Sequence, residues 1–395
     1  MSFLPQVKIP ATYLRGGTSK GVFFRLDDLP EAARVPGAAR DRLLMRVIGS
    51  PDPYGKQIDG MGAATSSTSK IVILSPSTRE DSDVDYLFGQ VAIDRPLIDW
   101  SGNCGNLTAA VGPFAVSQGW VDAPKDGIAK VRIWQQNISR RIVSHVPVRD
   151  GLVVEEGQFV LDGVTFPSAE IRVEFIEPGG MGEEGDAPGE MFPTGNVLDR
   201  LEVPGVGTVE ATMITAGNPL VFVDASALGL TGTELQSKVD TDAALLAKCE
   251  AIRAHGAVAM KLAKSAEEAS TSRLHTPKIA WVSKPQGYIA TSGKAVDAAA
   301  TDLTIRMLSM GKLHHVITGT GAIATAVAAA IEGTVVNRAR RPGAEPLRTT
   351  LGHPAGTLAV GAEVTREGNE WKVARAVMSR SARRLMEGWV RVPAA

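Results

Sequence analysis

Apolar and polar positions alternate from residue 7 to residue 26 and break once, at Gly16-Gly17-Thr18-Ser19-Lys20, which predicts two strands joined by a glycine-rich hairpin turn. From 30 to 50 the period lengthens: Leu43, Leu44, Val47 and Ile48 recur at helix-face spacing, and Gly49 is the stop. Short apolar runs predict strands at 71–74, 86–93, 129–134, 141–147 and 171–175. In the second half the same reasoning gives strands at 206–214, 220–223, 278–282, 303–310 and near Tyr288, with one long helix from about 232 to 264. Between the halves, residues 177–190 are almost all glycine, proline and acid, a composition suited to a linker. It divides the chain into an N-terminal unit, 1–190, and a C-terminal unit, 191–395.

Each half holds a glycine turn that opens a helix of small apolar residues. In the first it is Ser101-Gly102-Asn103-Cys104-Gly105-Asn106 running into 107–111; in the second it is Thr318-Gly319-Thr320-Gly321 running into Ala322-Ile323-Ala324. Setting Gly321 on Gly105 places Thr320 on Cys104. The repetition predicts an α/β (α+β) protein of two similar lobes, with a ligand held between two helix N-termini that face each other. Helix N-termini carry unpaired N–H groups and a partial positive charge, so the ligand expected there is an anion such as a di- or tricarboxylate.

Composition narrows the class. The chain has 395 residues, 44% hydrophobic, and a formal charge of -1, with both signs interspersed; the basic run Arg338-Ala339-Arg340-Arg341 is too short to point to nucleic acid. No apolar run is long enough for a bilayer span and the N-terminus has no signal-type core, so no membrane partner and a cytoplasmic location are expected. Cys104 and Cys249 stand far apart, which argues against a disulfide framework, and the histidines lack metal-ligand spacing. Nothing in the pattern separates monomer from homodimer.

Three places carry candidate chemistry, each with a plainer reading beside it. Cys104 at a helix entrance is a reactive thiol or a small buried hydrophobe. Lys70, which ends the hydroxylated run Ser66-Ser67-Thr68-Ser69 and begins a buried strand, is a desolvated amine suited to act as a base or an ordinary strand-start charge. The turn at 16–20 is an anion-binding loop or a solvated hairpin tip. Gly319-Thr320-Gly321-Ala322-Ile323-Ala324 also fits a relaxed dinucleotide fingerprint, but the position about 20 residues on, where such a site needs an acid, is basic here.

Longer motifs carry a resemblance. Arg15-Gly16-Gly17-Thr18-Ser19-Lys20-Gly21, Gln57-Ile58-Asp59-Gly60-Met61-Gly62, Ser66-Ser67-Thr68-Ser69-Lys70, Ser101-Gly102-Asn103-Cys104-Gly105-Asn106, Ser309-Met310-Gly311-Lys312-Leu313-His314 and Ser379-Arg380-Ser381-Ala382-Arg383-Arg384-Leu385-Met386-Glu387-Gly388 resemble the PrpF family of 2-methylaconitate cis-trans isomerases. The resemblance spans essentially the whole chain. It implies the diaminopimelate-epimerase-like fold, in which each lobe rolls a β-sheet around a central helix and the site lies in the cleft. It also implies Lys70 and Cys104 as the catalytic pair, substrate contacts from Ser19, Gly62, Asn103, Gly105 and Asn106 in the first lobe, and from Lys278, Ser309, Met310 and Gly319 in the second.

By the same resemblance the reaction is a proton transfer on a small unsaturated tricarboxylate that needs no metal and no redox cofactor. Epimerase relatives use two opposed cysteines; with Thr320 at the second position, a symmetric two-thiol mechanism is not expected here. The implied setting is propionate breakdown through the methylcitrate cycle, supplying an aconitase-type hydratase. Other branches of the family act on 4-oxalomesaconate or 3-methylitaconate, and a non-catalytic role beside an iron-sulfur dehydratase is the alternative outside enzymology.

Overall fold

The computed structural model describes residues 6–180, 190–368 and 370–393. Its principal elements, in chain order, are β1 (Val7–Gly16), β2 (Ser19–Arg25), α1 (Ala38–Ile48), β3 (Lys70–Pro76), β4 (Val84–Val91), α2 (Gly105–Ser117), β5 (Gly127–Gln135), β6 (Arg140–Arg149) and β7 (Ile171–Ile176). There follow β8 (Asp199–Val203), β9 (Gly207–Ala216), β10 (Asn218–Asp224), α3 (Ala243–Ala259), β11 (Lys278–Ser283), β12 (Leu303–Ser309) and α4 (Gly319–Ala330). Four long strands, β13 (Arg348–His353), β14 (Gly356–Glu367), β15 (Glu370–Arg380) and β16 (Ala382–Val392), complete the chain.

Hydrogen bonds link the strands into one continuous path. It runs from β16 through β1, β2, β3, β4, β5, β6 and β7 to β15, and on through β14, β13, β12, β11, β10 and β9 to β8. Most pairings are antiparallel; β2 with β3, β4 with β5, β10 with β11 and β12 with β13 are parallel. The first part of the path packs around α2 and the second around α4. β16 therefore lies among the strands around α2, bonded to β1, while β15 packs against α4 and bridges β7 to β14. Most of the expected linker, 181–189, lies outside the described residues.

Strand alternation explains why helices cover both faces. Phe23 points into the core around α2 while its neighbours Val22 and Phe24 point outward to α1; Leu220 and Phe222 likewise face inward, and Val221 and Val223 outward to α3. Helices α2 and α4 are buried around almost their whole circumference, and their alanines, glycines and threonines let the strands close around them. The expected helix over 30–50 is broken at Pro36-Gly37, where Gly37 has φ +139°. The long helix expected from 232 starts properly only at Ala243, capped by Asp242. Upstream, the buried Glu234 carboxylate accepts from Thr231 N, Gly232 N and Trp281 Nε1, which bends 231–234 into a loop.

The two central helices meet end to end. A Cβ on Gly105 would lie 2.7 Å from Thr320 N and 2.8 Å from Gly319 C; one on Gly319 would lie 2.5 Å from Gly105 C and 2.7 Å from Asn106 N. Backbone rests on backbone, and no side chain is available to move aside. Gly319→Ala is expected to destabilise the protein by about 1–3 kcal/mol, the usual range for overpacking a tight contact. Chemical denaturation measures it, and an unchanged midpoint would show that the contact is looser than described.

Candidate active site

The glycine contact sets two helix N-termini against each other. Cys104 is the N-cap of α2, where its sulfur accepts from Leu107 N at 3.5 Å; Thr318 is the N-cap of α4, where its hydroxyl accepts from Gly321 N at 3.0 Å. The residue that occupies the place of Cys104 in the second lobe is thus Thr318, two positions before the Thr320 expected from the sequence alignment. Gly319, not Gly321, is the counterpart of Gly105. Two like partial charges facing each other repel, and an anion between them turns both into favourable terms.

The cavity at this junction is lined by Ser19, Lys70, Asn103, Cys104, Gly105, Asn106, His275, Lys278, Ser309, His314, Thr318, Gly319 and Thr320. Two lysines and no carboxylate are among them. Asn103 and Thr320 are each 1% exposed, yet Asn103 Nδ2 and Thr320 Oγ1 have no hydrogen-bond partner among the described residues. Unpaired buried polar atoms cost about 1–3 kcal/mol each. A donor amide and a hydroxyl left open between two positive helix ends are suited to a carboxylate.

Lys70 begins β3 directly opposite Gln90 of β4, so both side chains share a face. Gln90 donates its amide hydrogens to Ser66 O and Ser69 O, which turns Oε1 toward the Lys70 ammonium as its acceptor. The ammonium also lies 5.0 Å from the Phe88 ring centroid. Burial pushes the Lys70 pKa down, against a smaller upward pull from a negative charge on Cys104. The lysine is therefore nearer to the neutral, basic form than an exposed one.

Lys278 enters from the second lobe at the start of β11. It donates to His275 O at 2.7 Å and to His275 Nδ1 at 3.2 Å, which leaves the Nε2 hydrogen of His275 directed at Asn103 O, 3.4 Å away. Burial and then the neighbouring charge on Lys70 lower the Lys278 pKa to about 7. Asp99 accepts from His275 N, and Asn218 exchanges two 3.0 Å hydrogen bonds with the backbone of Asn103, so the thiol loop is tied to the second lobe. Behind Asn106, the buried Arg380 donates from Nε to Asn106 Oδ1, while Asn106 Nδ2 donates to Thr18 Oγ1. Burial lowers the Arg380 pKa to about 10.

The two adjacent histidines have fixed tautomers. Val316 N donates to His314 Nδ1, so the hydrogen of neutral His314 is on Nε2 and is given to Ser67 Oγ at 3.1 Å. Ser67 in turn donates to His315 Nδ1 at 3.2 Å. Burial holds His314 far below the ordinary histidine pKa and His315 below it, so both are neutral near pH 7 and can play these roles.

Of the residues expected at the site, Ser19, Lys70, Asn103, Cys104, Gly105, Asn106, Lys278, Ser309 and Gly319 all line this cavity. Gly62 and Met310 do not. Gly62 lies beneath the Gln57 side chain, where a Cβ would come within 2.3 Å of Gln57 Oε1; Gln57 then accepts from Ser69, next to Lys70. Met310 turns away, at φ +54°, to line a separate recess beside Arg253 and Glu250. His275, His314 and Thr318 were not anticipated. Gly321, capped by Thr318, was the available signal for the last; the histidines gave none because the groups that seat them at the site, Asp99 and Asn103 for His275 and Ser67 for His314, are distant in sequence.

The sequence model of the PrpF protein family matches residues 6–393. The chain is 63% identical to the 2-methyl-aconitate isomerase of Cupriavidus necator, covering 100% of this chain and 99% of the relative. Among solved structures, a methylitaconate-delta-isomerase is 37% identical with a TM-score of 0.76, covering 98% of this chain and 96% of that one. A hydroxyproline epimerase from Agrobacterium vitis, 11% identical, shares the fold with a TM-score of 0.56 over 98% of this chain and 93% of its own.

Lys278 gives the site a signature in stability. Its pKa is about 7 in the folded chain against 10.5 for the free side chain. Between those values the unfolded chain holds a proton that the folded chain has released, so stability rises with pH across that window and levels off below it. Lys70, lowered in the same direction, adds to the rise. Lys278→Met is expected to flatten the slope of denaturation midpoint against pH from about pH 7 upward; an unaltered slope would show that Lys278 is solvated.

Proposed function

The chain belongs to the PrpF family, and from that membership we propose that it interconverts the trans and cis isomers of 2-methylaconitate by moving a proton. The observation that carries the chemistry is the cavity itself: an amine of lowered basicity, a thiol, and unpaired donors between two helix ends, all in one cavity with no carboxylate in its lining. The family comparison supplies the substrate, since the 63% identical relative acts on 2-methylaconitate by its name.

The neutral Lys70 amine takes a proton from the carbon next to the double bond, and the electron pair of that C–H bond spreads through the double bond into the conjugated carboxylate. The former double bond becomes single and rotates. Return of a proton to the same carbon restores the double bond in the other geometry: the Lys70 ammonium gives back the one it took, or the Cys104 thiol gives its own and the thiolate then takes the one held by Lys70. Negative charge accumulates on the carboxylate during the step, where the N–H groups opening α2 and α4, with Asn103 Nδ2, stabilise it. Gln90 keeps the amine in place, and burial shifts it toward the unprotonated form.

We place this reaction in propionate breakdown through the methylcitrate cycle, where its product feeds an aconitase-type hydratase. What supports that setting is the chemistry of the substrate, an unsaturated tricarboxylate of the kind an aconitase hydrates. Proton NMR in D₂O with 2-methylaconitate, 4-oxalomesaconate and 3-methylitaconate in separate samples tests the assignment. Isomerisation of 2-methylaconitate with deuterium entering the product is expected, and faster turnover of either other acid would reassign the substrate. Lys70→Ala and Cys104→Ala are each expected to lower kcat by about 10²- to 10⁴-fold, the usual contribution of one acid–base group. Cys104→Ser, which keeps an acceptor for Leu107 N, separates the thiol's chemistry from its capping role; wild-type activity in that variant would limit Cys104 to the cap.

A further inference from the structure

Beside the catalytic cavity is a second, open cleft whose floor is a row of cations. Arg15 of β1 is paired directly with Arg383 of β16 on one side and with Lys20 of β2 on the other. Residues directly opposite in antiparallel strands share a face, so the three cations stand in a line across three neighbouring strands. All three line the cleft, and no carboxylate among the described residues does. Like charges directly opposite each other destabilise a sheet, and such a row persists where something else is served by it.

The row is built to stay positive. The Arg15 guanidinium is pinned by Gly17 O, Ser381 O, Ser381 Oγ and Ser168 Oγ at 2.9–3.1 Å, none of them charged. Lys20 Nζ lies 5.4 Å from the Tyr13 ring centroid. Arg383 is exposed, and its side chain makes no hydrogen bond or ion pair with any described residue. Glu155, whose charge acts on Arg15, is engaged by Arg384, which donates from its backbone N at 3.2 Å and carries its Nε 3.6 Å from the carboxylate. Apolar Val164, Phe166 and Leu385 wall the cleft, which weakens the competition of water for a charge bound there.

Cleft and catalytic cavity are separated by very little. Ser19 lines both. The Ser67 hydroxyl is the partition, bonded to His314 on the cavity side and to His315 on the cleft side. A substrate with two carboxylates can satisfy the helix ends alone; a third, remote from the reacting double bond, needs a counter-charge within a few bonds' reach.

We propose that the Arg383, Arg15 and Lys20 row is a carboxylate subsite continuous with the catalytic cavity, and that it makes the protein select tricarboxylates over dicarboxylates. The inference rests on the proposed reaction only for the identity of the substrate. Binding of an unreactive ligand tests it separately. Isothermal titration at fixed ionic strength would compare tricarballylate, with three carboxylates, and glutarate, with two, on wild type, Arg383→Ala, Lys20→Ala and Arg383→Lys.

Arg383→Ala and Lys20→Ala are each expected to weaken tricarballylate by about tenfold or more, as for loss of a hydrogen bond to a charged group, and to leave glutarate unchanged. Arg383→Lys, which keeps the charge, should recover most of the loss. Equal weakening of both ligands would reduce the row to a general attractive field, and no weakening of either would leave it unoccupied; each result overturns the proposal. Arg383 is exposed, so its variants should melt with the wild type. If wild type shows the selectivity but turns over none of the three unsaturated acids, the proposed reaction fails and the subsite stands.

Discussion

The structure depends on one contact, the backbone of Gly105 against the backbone of Gly319. For two helix ends to touch there, neither can carry a Cβ, and both helices must lie inside the strands rather than on them. That requirement explains the small, uniformly buried residues of α2 and α4, whose apolar character extends around the whole helix instead of along one stripe. It also explains why larger, half-exposed helices such as α1 and α3 are kept to the outside of the strands, where an amphipathic surface suffices.

The same contact produces the chemistry. Two converging N-termini concentrate unpaired N–H groups at one point, and the sequence adds positive charge there instead of neutralising it: Lys70 and Lys278 line the cavity, Arg380 lies behind it, and the histidines are held neutral by burial. An empty site of this kind is unfavourable to the fold. The lowered pKa values of both lysines express that cost, and an anionic ligand removes it. The site gives up stability in the free protein for a strong interaction with an anion.

Much of this architecture is legible in the sequence where it is local. The hairpin at the N-terminus, the strand that begins at Lys70 and the glycine turn leading into α2 depend on nearby residues, and the structure places them as the pattern indicates. The second glycine turn was readable as an element but not in register: side-chain likeness sets Gly321 on Gly105, and only the backbone contact with Gly105 selects Gly319. Gly62 and Met310 belong to motifs near the cavity without reaching it, because motif membership reports a neighbourhood and not a side-chain direction. His275, Asn218 and the Arg383 end of the cation row could not be read at all. Each is placed by a partner more than a hundred residues away, His275 and Asn218 by Asn103 and Arg383 by Arg15.

In the proposed reaction, carboxylates of the substrate lie between the two helix N-termini and supply the partners that Asn103 Nδ2 and Thr320 Oγ1 lack among the described residues. A crystal structure of the protein with tricarballylate bound tests it most directly. A carboxylate oxygen is expected within hydrogen-bonding distance of Asn103 Nδ2 and of the N–H groups that open α2 and α4, with Lys70 Nζ facing the central carbons. A ligand bound elsewhere, with the helix ends still empty, would contradict it.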